Sequence, residues 1–309
     1  MNRKPIILVT GATGAQGGSV AHALLQAGKF KVRALTRDAA SSKAMTLAEA
    51  GAEVVEGSLD DIKTLRQAMK DCYGVFGVTN YWEHFENEYR HGKNLIDAVS
   101  QSAIKHFVFS SLPDYFKLSQ ETLSVPHCDI KGQLQEYTRA LGIPATFVHI
   151  AYYYENFLSF FPPQKGNDGD YYFGFPQGDT RLSMISVEDM GGVVAPIFDY
   201  PDEYIGRIVG LVGEDKTCHE YAAEMSEVLG KNIHYNYIPR DEYAAYGFPG
   251  AEELANMFEV QRLYIPNRQL QLIETYGLNP ETQTFKTWLK KNKAKFANLW
   301  AHKESSLVY

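Results

Sequence analysis

The sequence has few of the features that mark a secreted, metal-binding or membrane-spanning protein. It contains three cysteines, Cys72, Cys128 and Cys218, which lie far apart and lack the spacing of metal ligands. Such a sparse, odd number is typical of a reducing compartment. No apolar run approaches the roughly 20 residues that span a bilayer, and the first strand-like segment begins too early to leave room for a signal peptide. We therefore expect a soluble protein without a metal, in the cytoplasm and also in the nucleus.

Positive charge is scarce as well. The chain has 30 Lys and Arg residues against 37 Asp and Glu residues, which gives a formal net charge of −7. A general nucleic-acid-binding protein would present a basic surface instead. The one locally basic stretch, Lys286 to Lys295, is predicted to be the solvated face of a C-terminal helix. Direct contacts with nucleic acid or membrane are not expected.

A glycine-rich turn near the N-terminus is the strongest functional signal. The apolar run that begins at Ile6 leads into Gly11, Gly14 and Gly17, spaced G-x-x-G-x-x-G, and then into an amphipathic segment. Glycines at this spacing permit a tight turn, close approach of the backbone to phosphates and close packing of helix on strand. The helix N-terminus then offers N–H groups to the anion. The turn predicts a dinucleotide site at Gly11, Ala12, Thr13, Gly14, Ala15 and Gln16.

The end of the second strand-like run indicates which dinucleotide binds. About 20 residues after the glycine turn, an acid favours the ribose 2′-hydroxyl of NAD, whereas a cation favours the 2′-phosphate of NADP. This chain has Arg37 there, followed by Asp38. Arg37 can hold a phosphate through two hydrogen bonds, while Asp38 is expected to turn away or cap the next segment. NADP(H) is the predicted cofactor.

Strand-like and helical patterns alternate over the first half of the chain. The apolar runs cover residues 6–10, 32–36, 53–56, 75–79, 107–110 and 146–150. The helical stretches lie near 17–27, 61–70, 86–103 and 129–141. Apolar strands separated by helices are typical of a parallel sheet covered on both faces. We predict an α/β fold with a doubly wound parallel sheet, the Rossmann fold, and a ligand at the carboxyl ends of its strands.

The composition changes after residue 150, where aromatic and turn-forming residues become frequent. We predict an NADP-binding Rossmann domain over 1–150 and a smaller α/β C-terminal domain over most of 151–309. Segments near 184–212 are expected to return to the first domain, with a strand at Arg207–Leu211. Ser186 and Thr217 carry the signature of helix N-caps because an acid follows each of them.

Two further strand ends contribute candidate cofactor contacts. Ser58 and Leu59 follow the third strand and are expected to flank the adenine. Thr79, Asn80 and Tyr81 follow the fourth strand and are expected to line the path of the diphosphate and ribose. Both positions are carboxyl ends of parallel strands, where ligands of such sheets bind.

Short segments spread nearly end to end along the chain follow the pattern of a known family. They are Gly14–Val20, Lys31–Arg33, Thr79–Trp82, Ser186–Asp189 and Phe248–Phe258. These segments resemble the NmrA-like branch of the short-chain dehydrogenase/reductase superfamily, and most closely its NADPH-sensing members from vertebrates. The resemblance implies a Rossmann domain plus a small α/β domain, a preference for NADPH and a role as a redox sensor.

The same resemblance carries expectations about partners and further contacts. It implies protein partners of unknown identity and a shift between monomer and homodimer. It places a cation near the cofactor phosphates, for which Arg90 is the candidate. It also implies a segment that closes over the nicotinamide, formed by Tyr153, Tyr154, Glu155 and Asn156.

The catalytic pair of a working short-chain reductase is altered in this chain. Such an enzyme uses Tyr-x-x-x-Lys after a serine at the end of strand five, and Ser110 is present, but the pair here is His127 and Lys131. Lys131 is predicted to bond the nicotinamide ribose. His127 either donates a proton, since imidazole titrates near neutral pH, or fills the place of the tyrosine. The literal Tyr89-x-x-x-Lys93 falls on the helix after strand four and is predicted not to be catalytic.

Two functions therefore remain open, and no catalytic residue is assigned with certainty. The first is an NADP(H)-binding regulatory protein that senses the cellular redox state through NADPH/NADP occupancy. The alternative is an NADPH-dependent oxidoreductase that reduces quinones or similar carbonyl compounds, because a good acceptor needs little help from an acid. A scaffold with a vestigial pocket is disfavoured, since Arg37, Lys131 and the glycines are all present.

Overall fold

The computed structural model describes residues 4–265 and 267–306. Its strands are β1 (Ile6–Val9), β2 (Lys31–Thr36), β3 (Glu53–Glu56), β4 (Gly74–Gly77), β5 (His106–Ser111), β6 (Ala145–Ile150), β7 (Tyr152–Tyr153), β8 (Gln164–Lys165), β9 (Tyr171–Phe175), β10 (Arg181–Ile185), β11 (Ile208–Leu211), β12 (Glu214–Thr217) and β13 (Ile233–Tyr237).

The α-helices alternate with these strands in the first half of the chain and dominate the C-terminal part. They are α1 (Ala15–Ala27), α2 (Ser42–Glu49), α3 (Ile62–Ala68), α4 (Tyr81–His84), α5 (Asn87–Ser100), α6 (Tyr115–Leu118), α7 (Pro126–Ala140), α8 (Met190–Asp199), α9 (Pro201–Tyr204), α10 (Cys218–Leu229), α11 (Arg240–Ala244), α12 (Ala251–Tyr264), α13 (Gln269–Leu278) and α14 (Phe285–Ser306). Short 3₁₀ turns cover Tyr154–Leu158 and Val187–Asp189.

The main sheet has seven parallel strands in the order β11-β6-β5-β4-β1-β2-β3. The strand order reverses between β1 and β4, and the crevice at such a point binds ligands in open α/β sheets. Residues of β1 show why the sheet forms. Ile7 and Val9 pack on one face with residues of α1 and α8, whereas Ile6 and Leu8 pack on the other face with residues of α3 and α5. A strand buried on both faces must be apolar throughout.

This topology confirms the predicted α/β fold with a doubly wound parallel sheet. The return of the chain to the sheet is also confirmed, because β11 pairs in parallel with β6 at its edge. Thr217 forms the expected cap, a capping box with Glu220 at the start of α10, and Ser186 accepts a hydrogen bond from the Glu188 N–H. The division into domains at residue 150 stays a prediction.

Two small sheets and an aromatic cluster occupy much of the chain after residue 150. The sheets have the orders β12-β10-β7 and β13-β9-β8. Fully buried aromatic side chains hold this part together: Tyr154, Phe157, Phe175, Tyr221, Phe258, Phe285 and Trp288. Aromatic rings remove a large apolar area from water, so this cluster is a second core beside the two faces of the main sheet.

Some helices begin earlier than the sequence pattern suggests. Helix α7 starts at Pro126 rather than near 129, because proline is favoured in the first helical turn, where its missing N–H has no partner to lose. Helix α1 starts at Ala15, directly after the glycine turn. Within the described ranges, no helix combines the length and the hydropathy needed to cross a membrane.

Candidate cofactor site

The glycine turn between β1 and α1 can receive an anion. Gly11 has a φ of 57°, and a Cβ on Gly17 would lie 2.3 Å from the Gly11 carbonyl oxygen, so both positions require glycine. Helix α1 begins after Gly14 without a side-chain cap and without an acid in its first turn. Its N-terminal N–H groups can therefore bind a diphosphate. The residues of the turn fit the predicted dinucleotide.

Gln16 joins the glycine turn to two other strand ends. Its Nε2 donates to the Tyr153 hydroxyl at 2.6 Å, and its Oε1 accepts a hydrogen bond of 2.6 Å from the Ser110 hydroxyl. The turn, β5 and β7 therefore meet at the carboxyl edge of the sheet. Burial raises the pKa of Tyr153, so its hydroxyl stays protonated at neutral pH.

Arg37 lies directly after β2 with its side chain largely exposed. Its Nη1 forms an ion pair of 2.6 Å with Glu83 Oε1 on α4. The hydrogen bond from Arg37 holds the pKa of Glu83 below its usual range. Asp38 turns away as expected, since its carboxylate accepts a hydrogen bond from the Ala40 N–H at 2.9 Å. The guanidinium remains accessible to a phosphate, but a phosphate must compete with Glu83.

The residues after β3 are held by helix α5. Asp60 Oδ1 lies 2.9 Å from His91 Nε2 and 2.7 Å from Arg90 Nη2. The hydrogen bond from His91 lowers the pKa of Asp60. The Ser58 hydroxyl accepts from the Asp60 N–H at 3.1 Å, and Leu59 packs against one face of the main sheet. The predicted residues Ser58, Leu59 and Arg90 therefore lie together at one end of the site.

Lys131 is buried and bound to groups of the protein. Its Nζ donates to the Thr79 hydroxyl at 2.8 Å, to the Thr79 carbonyl at 3.3 Å and to Glu88 Oε1. Glu88 is fully buried, and within the described residues its Oε2 has no hydrogen-bond partner. An ammonium group has three protons to donate. The long bond to the Thr79 carbonyl is therefore the one that a ribose hydroxyl can replace.

Helix α4 places aromatic rings beside the end of β4. The Tyr81 hydroxyl donates to Glu253 Oε2 at 3.2 Å, and Asn80 Nδ2 donates to Glu83 Oε2 at 3.1 Å. The ring of Trp82 lies 5.3 Å from that of Tyr81, and its side chain remains partly exposed. Burial, followed by the charge of Glu253, raises the pKa of Tyr81. This short helix thus connects the predicted cofactor path to the C-terminal half of the chain.

His127 is held by a carboxylate from that C-terminal half. Its Nδ1 lies 2.6 Å from Glu253 Oε1, and its backbone N–H donates to the same oxygen at 2.9 Å. Burial alone would raise the pKa of Glu253, but the hydrogen bonds and charge of His127 outweigh it and hold the pKa below its usual range. His127 and Lys131 are four residues apart on α7, so both side chains lie on one face of the helix.

The run from Tyr153 to Asn156 is divided between the site and the aromatic core. The Tyr153 hydroxyl contacts Gln16, as described above, whereas the ring of Tyr154 is fully buried against Trp288. Glu155 accepts hydrogen bonds from the Ser186 hydroxyl at 2.7 Å and from Trp288 Nε1 at 3.1 Å, and burial raises its pKa. The Asn156 carbonyl accepts from the Phe161 N–H at 2.8 Å. The roles of these residues over the nicotinamide stay predictions.

The alternative Tyr-x-x-x-Lys sequence lies on α5, the helix after β4, as expected. Tyr89 is exposed, and Lys93 Nζ forms an ion pair of 2.6 Å with Asp97 on its own helix. The Lys93–Asp97 ion pair involves none of the residues that bond Lys131. Among residues 4–265 and 267–306, no group of three or more His, Cys, Asp or Glu side chains could hold a metal ion.

Three carboxylates in the site escaped prediction from the sequence. Glu83 pairs with Arg37, Glu88 with Lys131 and Glu253 with His127. Glu83 and Glu88 come soon after the fourth strand, so both could have been identified by considering the acidic residues that follow this strand. Glu253 is 126 residues from His127 in sequence, and no local pattern connects the two.

Comparison with known proteins shows the family of this chain. The profile of the NmrA-like family matches residues 3–285. The chain belongs to the NmrA-like family. An NmrA-like family domain-containing oxidoreductase of Cladobotryum, FrzB, is 32% identical over 282 residues, which cover 82% of each chain.

Solved structures share the fold of this NmrA-like chain. The negative transcriptional regulator NmrA in complex with NADP matches with a TM-score of 0.82 at 23% identity, over 96% of this chain and 98% of that one. An NADPH-dependent quinone oxidoreductase of Escherichia coli, complexed with NADPH, matches with a TM-score of 0.76 at 21% identity, over 94% and 98%. Neighbours of this fold therefore crystallise with NADP or NADPH, in agreement with the predicted cofactor. The family includes proteins described as oxidoreductases and as regulators.

Proposed function

We propose that this chain is an NADP(H)-binding regulatory protein of the NmrA type, whose cofactor occupancy sets its shape and its affinity for a protein partner. The uncapped N-terminus of α1 and the exposed guanidinium of Arg37 support binding of the diphosphate and the 2′-phosphate. The likeness of its sequence segments to the vertebrate NADPH sensor supports the regulatory role. A homodimer, an unidentified protein partner and a location in cytoplasm and nucleus belong to the same proposal.

The ion pair between Arg37 and Glu83 is the observation that links cofactor binding to regulation. A 2′-phosphate that takes Arg37 leaves Glu83 on α4 without its ion-pair partner. The same short helix donates from Tyr81 to Glu253 on α12, and its Trp82 ring lies 5.2 Å from that of His127. Occupancy at the 2′-phosphate position is therefore transmitted through α4 to the C-terminal half of the chain. A two-state element biased by a ligand is what a regulatory switch requires.

Sensing of the redox state needs a second distinction, because the 2′-phosphate is the same in NADPH and NADP⁺. The two forms differ in the charge of the nicotinamide ring, which is positive only when oxidised. Lys131 is the cation assigned to the adjoining ribose, and the buried Glu88 compensates its charge. We attribute a preference for the reduced form to the Lys131 ammonium, since a positive charge beside the ring disfavours its oxidised form. Redox sensing requires such a difference in affinity, because a ligand shifts a conformational equilibrium only by the difference between its affinities for the two conformations.

Calorimetric titration with NADPH, NADP⁺ and NADH tests this proposal. We expect NADPH to bind more tightly than NADP⁺, and Arg37→Ala to weaken NADPH binding by about tenfold or more, since a charge-assisted pair contributes roughly 1.5–3 kcal/mol. NADH binding should change little. Arg139→Ala, an exposed arginine at the far end of α7, is the matched control.

Two results of that titration would contradict the proposal in different ways. Equal dissociation constants for NADPH and NADP⁺ would refute redox sensing while leaving cofactor binding intact. Failure of the wild type to bind NADPH at all would refute the whole proposal and favour a vestigial pocket.

A second candidate function is reduction of quinones or similar flat carbonyl compounds with NADPH. The observation that favours it is the hydrogen-bonded pair of His127 and Glu253 at the position of the reductase acid. The oxidoreductase description of FrzB and the quinone oxidoreductase fold support the same candidate. Following NADPH absorbance against a panel of quinones and aldehydes tests it. Turnover that falls in His127→Ala or Lys131→Ala favours the reductase, and no turnover with tight NADPH binding favours the regulator.

A further inference from the structure

Glu253 contacts His127 through more than one hydrogen bond. One carboxylate oxygen, Oε1, accepts from the backbone N–H of His127 at 2.9 Å and lies 2.6 Å from its Nδ1. The other oxygen, Oε2, accepts from the Tyr81 hydroxyl at 3.2 Å. Both side chains are close to fully buried, with relative exposures of 11% for His127 and 13% for Glu253. The carboxylate is thus fixed by donors from two different elements, α4 and α7.

This arrangement determines which ring nitrogen of His127 faces outward from the pair. A carboxylate accepts and cannot donate when ionised, so Nδ1 must carry a proton. The factors that hold the pKa of Glu253 low keep that carboxylate ionised at neutral pH. Among the described residues, Nε2 has no hydrogen-bond partner. The imidazole is therefore oriented, with Nε2 as the nitrogen left to act on a ligand.

We propose that Glu253 is a positioning residue that orients His127 as the proton donor to a flat quinone or conjugated carbonyl substrate. The inference rests on the reductase candidate above and assigns to it a residue from the C-terminal half of the chain. His127 stands one helical turn before Lys131 on the same face of α7, which is the place of the missing tyrosine. In this proposal the proton donor is the His127–Glu253 pair, where a typical short-chain reductase uses the phenol of a tyrosine.

The surroundings of His127 indicate the class of substrate. The rings of Trp82 and Tyr81 lie 5.2 and 5.9 Å from the imidazole. Trp82 remains 42% exposed, and Phe85, whose ring lies 5.6 Å from that of Tyr81, remains 53% exposed. Exposed aromatic faces beside a proton donor suit a planar aromatic ligand, which gains from stacking on them. A small aliphatic aldehyde would leave these faces uncovered.

The electrons and protons of the proposed quinone reduction balance. Bound NADPH supplies a hydride, which carries two electrons. A quinone that accepts the hydride becomes a hydroquinone anion and needs one proton to become the neutral hydroquinone. The imidazolium form of His127 gives that proton from Nε2 and keeps the proton on Nδ1, and Glu253 stabilises its positive charge before the transfer. A proton from the bulk solvent then returns to Nε2, so one quinone, one NADPH and one proton yield one hydroquinone and one NADP⁺.

The competing interpretation is that Glu253 only ties α12 to α7. A purely structural contact between the two helices would affect thermal stability and cofactor affinity. It would not set the pH dependence of turnover or the position of the proton on the His127 ring. The test therefore uses Glu253→Gln, which keeps the shape and removes the charge, and Glu253→Asp, which keeps the charge. The neighbouring Glu252, exposed and paired with Arg240, gives Glu252→Gln as the matched control.

The experiment measures NADPH oxidation by 1,4-naphthoquinone across pH 5–9, with thermal unfolding of each variant alongside. We expect Glu253→Gln to lower kcat by about tenfold to a hundredfold, at or below the lower end of the roughly 10²–10⁴-fold that general acid catalysis contributes, because Glu253 acts only through His127. KM should change little, and the fall of the rate at high pH should move to lower pH. Glu253→Asp should recover part of the rate, and Glu252→Gln should match the wild type.

A second readout needs neither cofactor nor turnover. In ¹⁵N-histidine-labelled protein, the imidazolium form of His127 carries a proton on each ring nitrogen, whereas the neutral form should keep its proton on Nδ1 in the wild type and become a mixture of tautomers in Glu253→Gln. A proton on Nε2 alone in the wild type would overturn the positioning role. Unchanged kcat in a folded Glu253→Gln variant would overturn the proposal and leave the reductase candidate standing. No turnover by NADPH-bound wild type would overturn proton donation together with the reductase candidate, without affecting the regulatory proposal.

Discussion

At the scale of single residues, the site is a set of cations that are each already bound to an acid. Lys131 is paired with Glu88, Arg37 with Glu83 and Arg90 with Asp60. A cofactor phosphate or hydroxyl must therefore compete with protein carboxylates for these cations. Exposed pairs yield easily because they contribute at most about 1 kcal/mol, whereas a buried pair is retained.

Replacing the buried acid beside Lys131 should alter the preference between reduced and oxidised cofactor. Glu88→Gln leaves the ammonium without its compensating charge. Because the oxidised nicotinamide is positive, the ratio of the NADP⁺ to the NADPH dissociation constant should rise about fivefold, which corresponds to about 1 kcal/mol, the order of a well-screened interaction between two unit charges. Titration of both forms by calorimetry measures the ratio. Glu136→Gln, on the exposed side of α7, serves as the control, and an unchanged ratio in Glu88→Gln would contradict the assignment of Lys131.

Removing the competitor of the 2′-phosphate should tighten NADP(H) binding. Glu83→Gln frees Arg37, so the NADPH dissociation constant should fall by up to about fivefold, the value of an exposed pair. The NADH dissociation constant should stay the same, since NADH has no 2′-phosphate. Competition titrations with both cofactors measure the two constants. The neighbouring exposed Glu86 gives Glu86→Gln as the control, and equal tightening for NADH would show that Glu83 acts by another route.

Two buried histidines should make the folded state sensitive to acid. Burial lowers the pKa of His106 to about 4 and that of His149 to about 3. Below the ordinary value near 6.5, the unfolded chain binds protons that these folded imidazoles do not bind, so stability falls as the pH drops. Each histidine contributes about 1.4 kcal/mol per pH unit in this window.

Urea denaturation between pH 7 and pH 5 measures this effect. The dependence of the free energy of unfolding on pH should be smaller in His106→Gln than in the wild type. The exposed His219 provides His219→Gln as a control that keeps the wild-type slope. Burial raises the pKa of Asp189 and Glu155, which opposes the histidines, so the difference between variants is the informative quantity. Identical slopes in all three proteins would show that folding does not lower the pKa of His106.

At the scale of elements, the contact between α1 and α8 fixes the helix that carries the glycine turn. A Cβ on Gly191 would lie 2.1 Å from the Ser19 carbonyl oxygen. The Ser19 hydroxyl also donates to the Glu188 carbonyl at 2.7 Å and accepts from the Gly191 N–H at 2.9 Å. The two backbones touch, which only glycine permits at this position.

Adding a methyl group at this contact should destabilise the protein. Gly191→Ala must push α8 away from α1, and overpacking of this kind costs about 1–3 kcal/mol. Thermal unfolding measures the loss. Gly277→Ala in α13 is the matched control, because a Cβ there meets nothing within 4 Å, and alanine should stabilise an exposed helix position by up to about 1 kcal/mol. Equal midpoints for the two variants would contradict the close contact.

At the scale of the whole molecule, the second half of the chain supplies part of the site. Glu253 on α12 reaches His127 on α7, and Trp288 on α14 donates to Glu155 beside Tyr154. The aromatic cluster fixes these helices relative to the segment that follows β6. A cofactor bound at the carboxyl edge of the main sheet is therefore in contact, through α4 and α7, with residues far away in sequence. The proposed regulation and the proposed proton donation both depend on this connection.

The parts of this molecule that could be predicted from the sequence are those set by local physics. The apolar run at Ile6 had to be a buried strand, and Gly11 and Gly17 had to form the turn, because only glycine tolerates that φ or that contact. Thr217 capped its helix as predicted, since the capping box involves residues only three positions apart. The cofactor preference could be predicted because Arg37 directly follows the second strand, whose end lies beside the ribose in this type of fold.

The tertiary structure alone decided what surrounds the predicted cations. Whether Lys131 is solvated or locked to a buried Glu88, and whether His127 fills space or is oriented by Glu253, depends on side chains brought together by packing. No local periodicity encodes such pairs, because the energy of a buried charge is set by its final neighbours rather than by its position along the chain. The sequence by itself determined the fold and the glycine turn, and the packing of α5 and α12 onto α7 determined the chemistry available beside them.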